Sequence, residues 1–131
     1  MKRSLCVLAI VLISCLGRGG DVMRRKAIFT KGWSMAGPVK SLVAGYYIET
    51  GRFPSSNDEA RVDAQTELSG KYVSSIVIGP GGVITVTYTG DPELEGKTLV
   101  LTPAIVGDGR TMNWSCREGT MPAEYRADQC K

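Results

Sequence analysis

The chain has 131 residues, 43% of them hydrophobic and 22% charged, with a net charge of +3 and no histidine. That allows one domain with a modest core. It is too apolar for a disordered chain and lacks the dense basic stripe of a nucleic-acid module. Without histidine the commonest general base and metal ligand is missing, and no nucleophile–base pair stands out, so neither an enzyme nor a cofactor or metal is expected.

Met1-Lys2-Arg3 is basic, and residues 4–14 are almost unbroken apolar sequence. The run is short for a bilayer span, but its length and flanks suit a secretory signal, assigned to residues 1–15. Its end, Leu12-Ile13-Ser14-Cys15, resembles a bacterial lipobox and makes Cys15 a lipidation candidate. Plain cleavage a few residues later, at Gly17, stands beside that reading as an equal. In either case Cys6 leaves with the signal, and Cys116 and Cys130 remain as an even pair in an oxidising compartment, which reads as a disulfide. Neither has the neighbouring Cys or His residues of a zinc site.

Residues 16–21 are Gly-rich and read as a tether. From Val22 onward Ile28, Gly32, Met35, Val39, Leu42 and Tyr46 recur at steps of three and four, one face of a helix. Gly51 and Pro54 stop it, and Gly37-Pro38 should kink it or divide it in two. Residues 53–70 form a polar connector in which Ser55, Ser56, Asn57 and Asp58 are helix-start residues, although a loop is the plainer expectation.

The period then falls to two. Residues 71–78 and 83–88 are strands, joined by a hairpin turn at Gly79-Pro80-Gly81-Gly82. A phosphate loop would need a helix to follow, and a strand follows instead. Residues 89–96 form another turn. Its Asp91, Glu93 and Glu95 lack the spacing of a calcium loop and read as solvated. The third strand covers 97–102 and should stop at Pro103. A last strand runs through Met112, Trp114 and Cys116 after the turn Gly107-Asp108-Gly109. The fold class is α+β: a long N-terminal helix packed on a small antiparallel meander, with a disulfide-closed C-terminal loop.

Several segments carry a family resemblance. Gly37-Pro38-Val39-Lys40-Ser41-Leu42-Val43-Ala44, Tyr46-Tyr47 and Gly51-Arg52-Phe53-Pro54 resemble the exit of the type IV pilin helix. Gly70-Lys71-Tyr72-Val73 is similar to the family's entry into its first strand, and residues 96–103 to its third. Trp114-Ser115-Cys116, Pro122-Ala123-Glu124-Tyr125 and Cys130 are similar to its terminal disulfide region. Five such elements in series mark residues 22–131 as a pilin-like domain. At the start the chain departs from the pattern. Arg18-Gly19-Gly20-Asp21-Val22-Met23 stands where a prepilin has a Phe-Thr-Leu-Ile-Glu-like sequence, so leader processing, N-methylation and a registering glutamate are not carried over.

The resemblance implies a structural subunit of a type IV pilus, exported to the cell surface and serving attachment and motility. The alternative is a non-polymerising accessory, periplasmic or lipid-anchored in the outer membrane. The implied partners are other pilin subunits or assembly components, a host or abiotic surface, and a membrane through the N-terminal anchor. In pilins the corresponding loop is an exposed variable or adhesive surface, which makes Arg117, Glu118, Glu124, Tyr125 and Arg126 the candidate binding loop, with plain solvated loop residues as the equal alternative. The basic run Arg24-Arg25-Lys26 is a weak candidate for DNA, and Asn113-Trp114-Ser115 fits a glycosylation sequon weakly.

Overall fold

A computed structural model describes residues 2–62 and 69–131, with side chains described from Gly20 onward. The side chains of Cys6 and Cys15, and residues 63–68 of the connector, lie outside the described residues.

One helix, α1, spans Lys2–Thr50. It passes through residues 16–21, expected as a tether, and through Pro38, so there is one helix and not two. Carrying a formed helix across glycine costs about 1 kcal/mol per residue. Stopping and restarting it would orphan backbone groups at two new ends and require a second nucleation. Pro38 lies on the exposed side, where the carbonyl it strands can reach water. The helix ends at Gly51, whose φ of 76° is the left-handed value that glycine adopts freely, and the Gly51 N–H returns to the Tyr47 carbonyl at 2.8 Å. Among the described residues no helix is long and apolar enough to cross a membrane.

Four strands follow as an antiparallel meander: β1 (Val73–Ile78), β2 (Ile84–Tyr88), β3 (Thr98–Val106) and β4 (Thr111–Glu118), in spatial order β1-β2-β3-β4. The Gly79–Gly82 segment is the expected turn between β1 and β2. Pro103 does not end β3. It lies within the strand opposite Trp114, while the β2 ladder stops at Leu101. Beyond that point β3 has a neighbour on one side only, and a residue without an N–H can be accommodated.

Alternation on β2 buries Ile84, Val86 and Tyr88, and the facing rows supply Ile76, Ile78, Leu99 and Leu101. Onto this surface α1 lays Ile28, Phe29, Gly32, Ala36, Val39 and Val43. Of the face expected from the sequence, Ile28 and Val39 are buried, Met35 and Tyr46 are half-buried, and Leu42 is exposed. The inner stripe runs 32–36–39–43, one position away from the 35 and 42 steps. Asp at Val39, which is 1% exposed, should therefore cost several kcal/mol, whereas Asp at Leu42, which is 41% exposed, should shift stability by less than about 1 kcal/mol. Denaturant unfolding of the two variants checks the assignment.

Gly32 sets the helix–sheet distance. A Cβ there would lie 2.3 Å from the Tyr88 hydroxyl, which is buried and donates to the Phe29 carbonyl at 2.8 Å. Burial also pushes the Tyr88 phenol pKa well above its usual value. Gly32→Ala should cost about 1–3 kcal/mol by overpacking, despite the better helix propensity of alanine. A rise in melting temperature would show that helix and sheet can separate freely.

Candidate functional site

The two candidate regions are the C-terminal loop and the basic run Arg24-Arg25-Lys26 of α1, and the structure joins them. Cys116 and Cys130 form a disulfide with a Cα–Cα distance of 4.8 Å, closing a 14-residue separation. Two single 3₁₀ turns, Ala123–Tyr125 and Asp128–Cys130, are the only regular structure after β4 among the described residues.

The loop is organised around Arg126, which is only 7% exposed. Its guanidinium donates to five backbone carbonyls, those of Cys116, Arg117, Gly119, Met121 and Cys130. Among the described residues no carboxylate forms an ion pair with it. The fork of five N–H donors is spent on carbonyl groups that the irregular loop would otherwise leave unpaired. Tyr125 is buried too, and its hydroxyl donates to Glu93 Oε2 at 2.9 Å. That bond and burial raise its pKa. Of the candidate binding loop, Arg117, Glu118 and Glu124 are exposed, while Tyr125 and Arg126 face inward and are unavailable to a partner.

The acidic turn after β2 also differs from expectation. Asp91 is buried, not solvated. Its Oδ1 accepts from Arg25 Nε and from the Glu93 N–H, each at 3.0 Å. Arg24 reaches Oδ2 at 3.0 Å but off the hydrogen-bond axis, so that oxygen is held by charge. Arg25 also pairs with Glu93 at 3.2 Å and lies 5.7 Å from the centre of the Tyr125 ring. Burial alone would raise the Asp91 pKa. The Arg25 and Glu93 hydrogen bonds and the two arginine charges outweigh it and leave the pKa lowered. Asp91 in turn raises that of Arg25. Of the run Arg24-Arg25-Lys26, Arg25 is held within this cluster, Arg24 pairs with Asp91 while staying half-exposed, and Lys26 is exposed. Among the described residues no group of three or more Cys, Asp or Glu is placed to hold a metal ion.

Nothing in this arrangement pairs a nucleophile with a base. It is a locking cluster that ties α1, the β2–β3 turn and the disulfide loop into one head. The sequence showed the loop and the cysteines but not the cluster. Asp91 lies 66 residues from Arg25, and only the fold brings them together.

Comparison with known proteins agrees with this architecture. The family profile described as pilin (bacterial filament) matches residues 26–131. The chain is 31% identical to the fimbrial protein EcpC of Eikenella corrodens over 97% of its own length and 83% of that protein. It is 39% identical to a fimbrial protein of Neisseria meningitidis serogroup A over 59% of the chain and 45% of the relative. It is 35% identical to the type IV major pilin protein PilE of Neisseria gonorrhoeae over 59% of the chain and 46% of that protein. Each match to the two Neisseria proteins therefore spans less than half of the relative.

Proposed function

Because the chain belongs to the type IV pilin family, we propose that it is a structural subunit of a type IV pilus, serving surface attachment and motility. The observation that carries this reading is the coincidence of the family match, residues 26–131, with the helix-on-sheet head and its disulfide-closed loop. The subunit is exported and displayed on the cell surface, with other pilin subunits or assembly components as its partners. The exposed residues Arg117, Glu118 and Glu124 are its outward contacts on the loop.

Sheared surface filaments should contain the chain, and deleting its gene should reduce both surface attachment and surface motility. Filaments that lack the chain, from cells that express it, would refute the reading.

The sequence Leu12-Ile13-Ser14-Cys15 favours a second reading, a pilin-like accessory lipidated on Cys15 after removal of residues 1–14. Two or more acyl chains hold a protein stably on a membrane, whereas one holds it marginally. Under this reading intact mass gives Cys15 as the first residue with added lipid, and Cys15→Ala releases a folded head into the soluble periplasm. Finding the chain in purified filaments without lipid on Cys15 decides for the first reading.

A further inference from the structure

Two irregular segments of the head each depend on one side chain that serves backbone groups. In the connector Asn57 clasps the outer edge of β1. Its Oδ1 accepts from the Ile78 N–H at 2.6 Å, and its Nδ2 donates to the Ile76 carbonyl at 3.1 Å. In the C-terminal loop Arg126 does the corresponding work, and does it at the disulfide. Its Nη1 donates to the carbonyls of Cys116 and Cys130, each at 3.3 Å, and also to that of Arg117. One nitrogen therefore joins the main chains of the two half-cystines without involving sulfur.

The other moorings of the loop are equally independent of sulfur. The Met121 N–H donates to the Thr98 carbonyl at 2.9 Å. Thr98 and Thr120 each donate a backbone N–H to the other's hydroxyl, at 2.9 and 3.1 Å. Arg126 Nε and Nη2 take the Met121 and Gly119 carbonyls at 2.7 and 2.8 Å, and the Tyr125 hydroxyl reaches Glu93. Cys116 belongs to strand β4, and the Cys130 N–H donates to the Ala127 carbonyl at 2.8 Å in the last 3₁₀ turn.

A disulfide across a flexible chain must itself bring the two ends together, at an entropic cost. Here hydrogen bonds have already done so. Opening the loop would strip five carbonyls from a buried guanidinium at once, so the closed state resists opening with or without the S–S bond.

We propose that Arg126 is a positioning residue for the oxidation of Cys116 and Cys130: in the reduced chain it keeps the loop closed and the two thiols within reach of each other. The disulfide then forms, and re-forms after reduction, at a preassembled site. The oxidant is another disulfide, small or protein-borne. One cysteine, as its thiolate, attacks a sulfur of that disulfide; the oxidant's S–S bond breaks, a mixed disulfide forms and one thiolate leaves. The second cysteine loses its proton to solvent and attacks the protein sulfur of the mixed disulfide, which closes Cys116–Cys130 and expels the second thiolate. The two cysteines lose two electrons, and the oxidant gains them as two thiols. Both cysteines are buried, so the first step waits on a brief opening of the loop. Arg126 restrains that opening and drives the reclosure in which the second step occurs. The device is the same whether or not the chain polymerises.

The test uses the full chain with Cys6→Ser and Cys15→Ser, reduced, freed of reductant and then equilibrated with reduced and oxidised glutathione. Mass spectrometry of acid-quenched samples separates dithiol, glutathione adduct and closed disulfide. Before oxidation, reduced chain with Arg126 intact should keep amide protection at Met121 and Arg126, a readout that needs no substitution in the loop. Its closed disulfide should be favoured at least about tenfold more strongly than in Arg126→Met, because positioned groups react far above the millimolar effective concentration of a flexible chain. The single-glutathione adduct should accumulate in Arg126→Met and stay scarce with Arg126 present, a signature that a role confined to the oxidised fold would not give. Arg117→Ala keeps the carbonyl that Arg126 uses and should leave the equilibrium unchanged. If Arg126→Met does not fold, Arg126→Lys, which keeps the charge and loses the fork, replaces it with the same direction expected. Loss of protection at Met121 and Arg126 on reduction, or a glutathione equilibrium that these Arg126 variants leave unmoved, overturns the proposal.

Discussion

Arg126→Met should open the C-terminal loop even with the Cys116–Cys130 disulfide intact. The substitution keeps much of the apolar stem and deletes the donor fork that serves five carbonyls. Each buried carbonyl left without a partner costs about 1–3 kcal/mol, and water can re-satisfy only those near the surface. If two or three stay dry, the loss is roughly 3–6 kcal/mol, at least as large as the roughly 3 kcal/mol expected from a disulfide closing a loop of this size. Removing the disulfide instead, with Cys116→Ser and Cys130→Ser together, should raise amide exchange at the tail but leave the carbonyl cage around Arg126 in place. Denaturant unfolding and amide exchange over residues 116–130 separate the two cases. Unchanged protection in Arg126→Met would show that the disulfide alone holds the loop.

Asp91→Asn is expected to have the next largest effect, because it leaves the Arg25 guanidinium against a neutral amide in a half-buried site. Breaking one side of a fully buried pair costs about 3–5 kcal/mol. Arg24 and Glu93 are substantially exposed, so roughly 2–3 kcal/mol is expected here. The same carboxylate predicts a pH dependence. Its pKa is lower in the folded protein than the value of about 3.9 in an unfolded chain. The stability it contributes is therefore fully present above about pH 4 and is lost as the pH falls through the folded value. Glu59 acts in the same direction, its pKa lowered chiefly by the Ser55 backbone N–H. Between about pH 4 and pH 2 the wild-type chain should lose stability more steeply than Asp91→Asn. Parallel curves for the two proteins would show that Asp91 is not the group that titrates.

The sheet was legible because its signal is local. Alternation marks Ile84, Val86 and Tyr88 without reference to the rest of the chain, and the glycine cluster marks the turn before them. The helix face was half legible. Met35 and Leu42 continue the three-and-four stepping through Ile28, Gly32 and Val39, so periodicity alone lands on them and not on their neighbours Ala36 and Val43. The true stripe favours small residues because the sheet lies close, and that closeness is visible only from Tyr88 over Gly32. Pro103 misled for a related reason. Proline ends a strand flanked on both sides, and how far β2 extends cannot be read from β3. Asp91, Arg126 and Asn57 were misread or passed over because each satisfies groups remote in sequence: arginines on α1, carbonyls around a covalent loop, and the edge of β1. Charged and amide side chains look like solvent-facing residues until their partners are located.

The grip on α1 has a mechanical consequence. The Arg24 and Arg25 pairs to Asp91, the Tyr88 bond to Phe29 and the close approach at Gly32 all lie within a few turns of one another along the helix. A force drawing the N-terminal end of α1 away along its axis would strain these contacts together, in shear, instead of peeling them apart in succession. Contacts stretched in parallel share the tension and fail at a higher force than the same contacts unzipped one by one. The segment 24–32 would thus be the coupling through which tension on the helix reaches the head, and the sheet and disulfide loop would remain folded until that coupling slips.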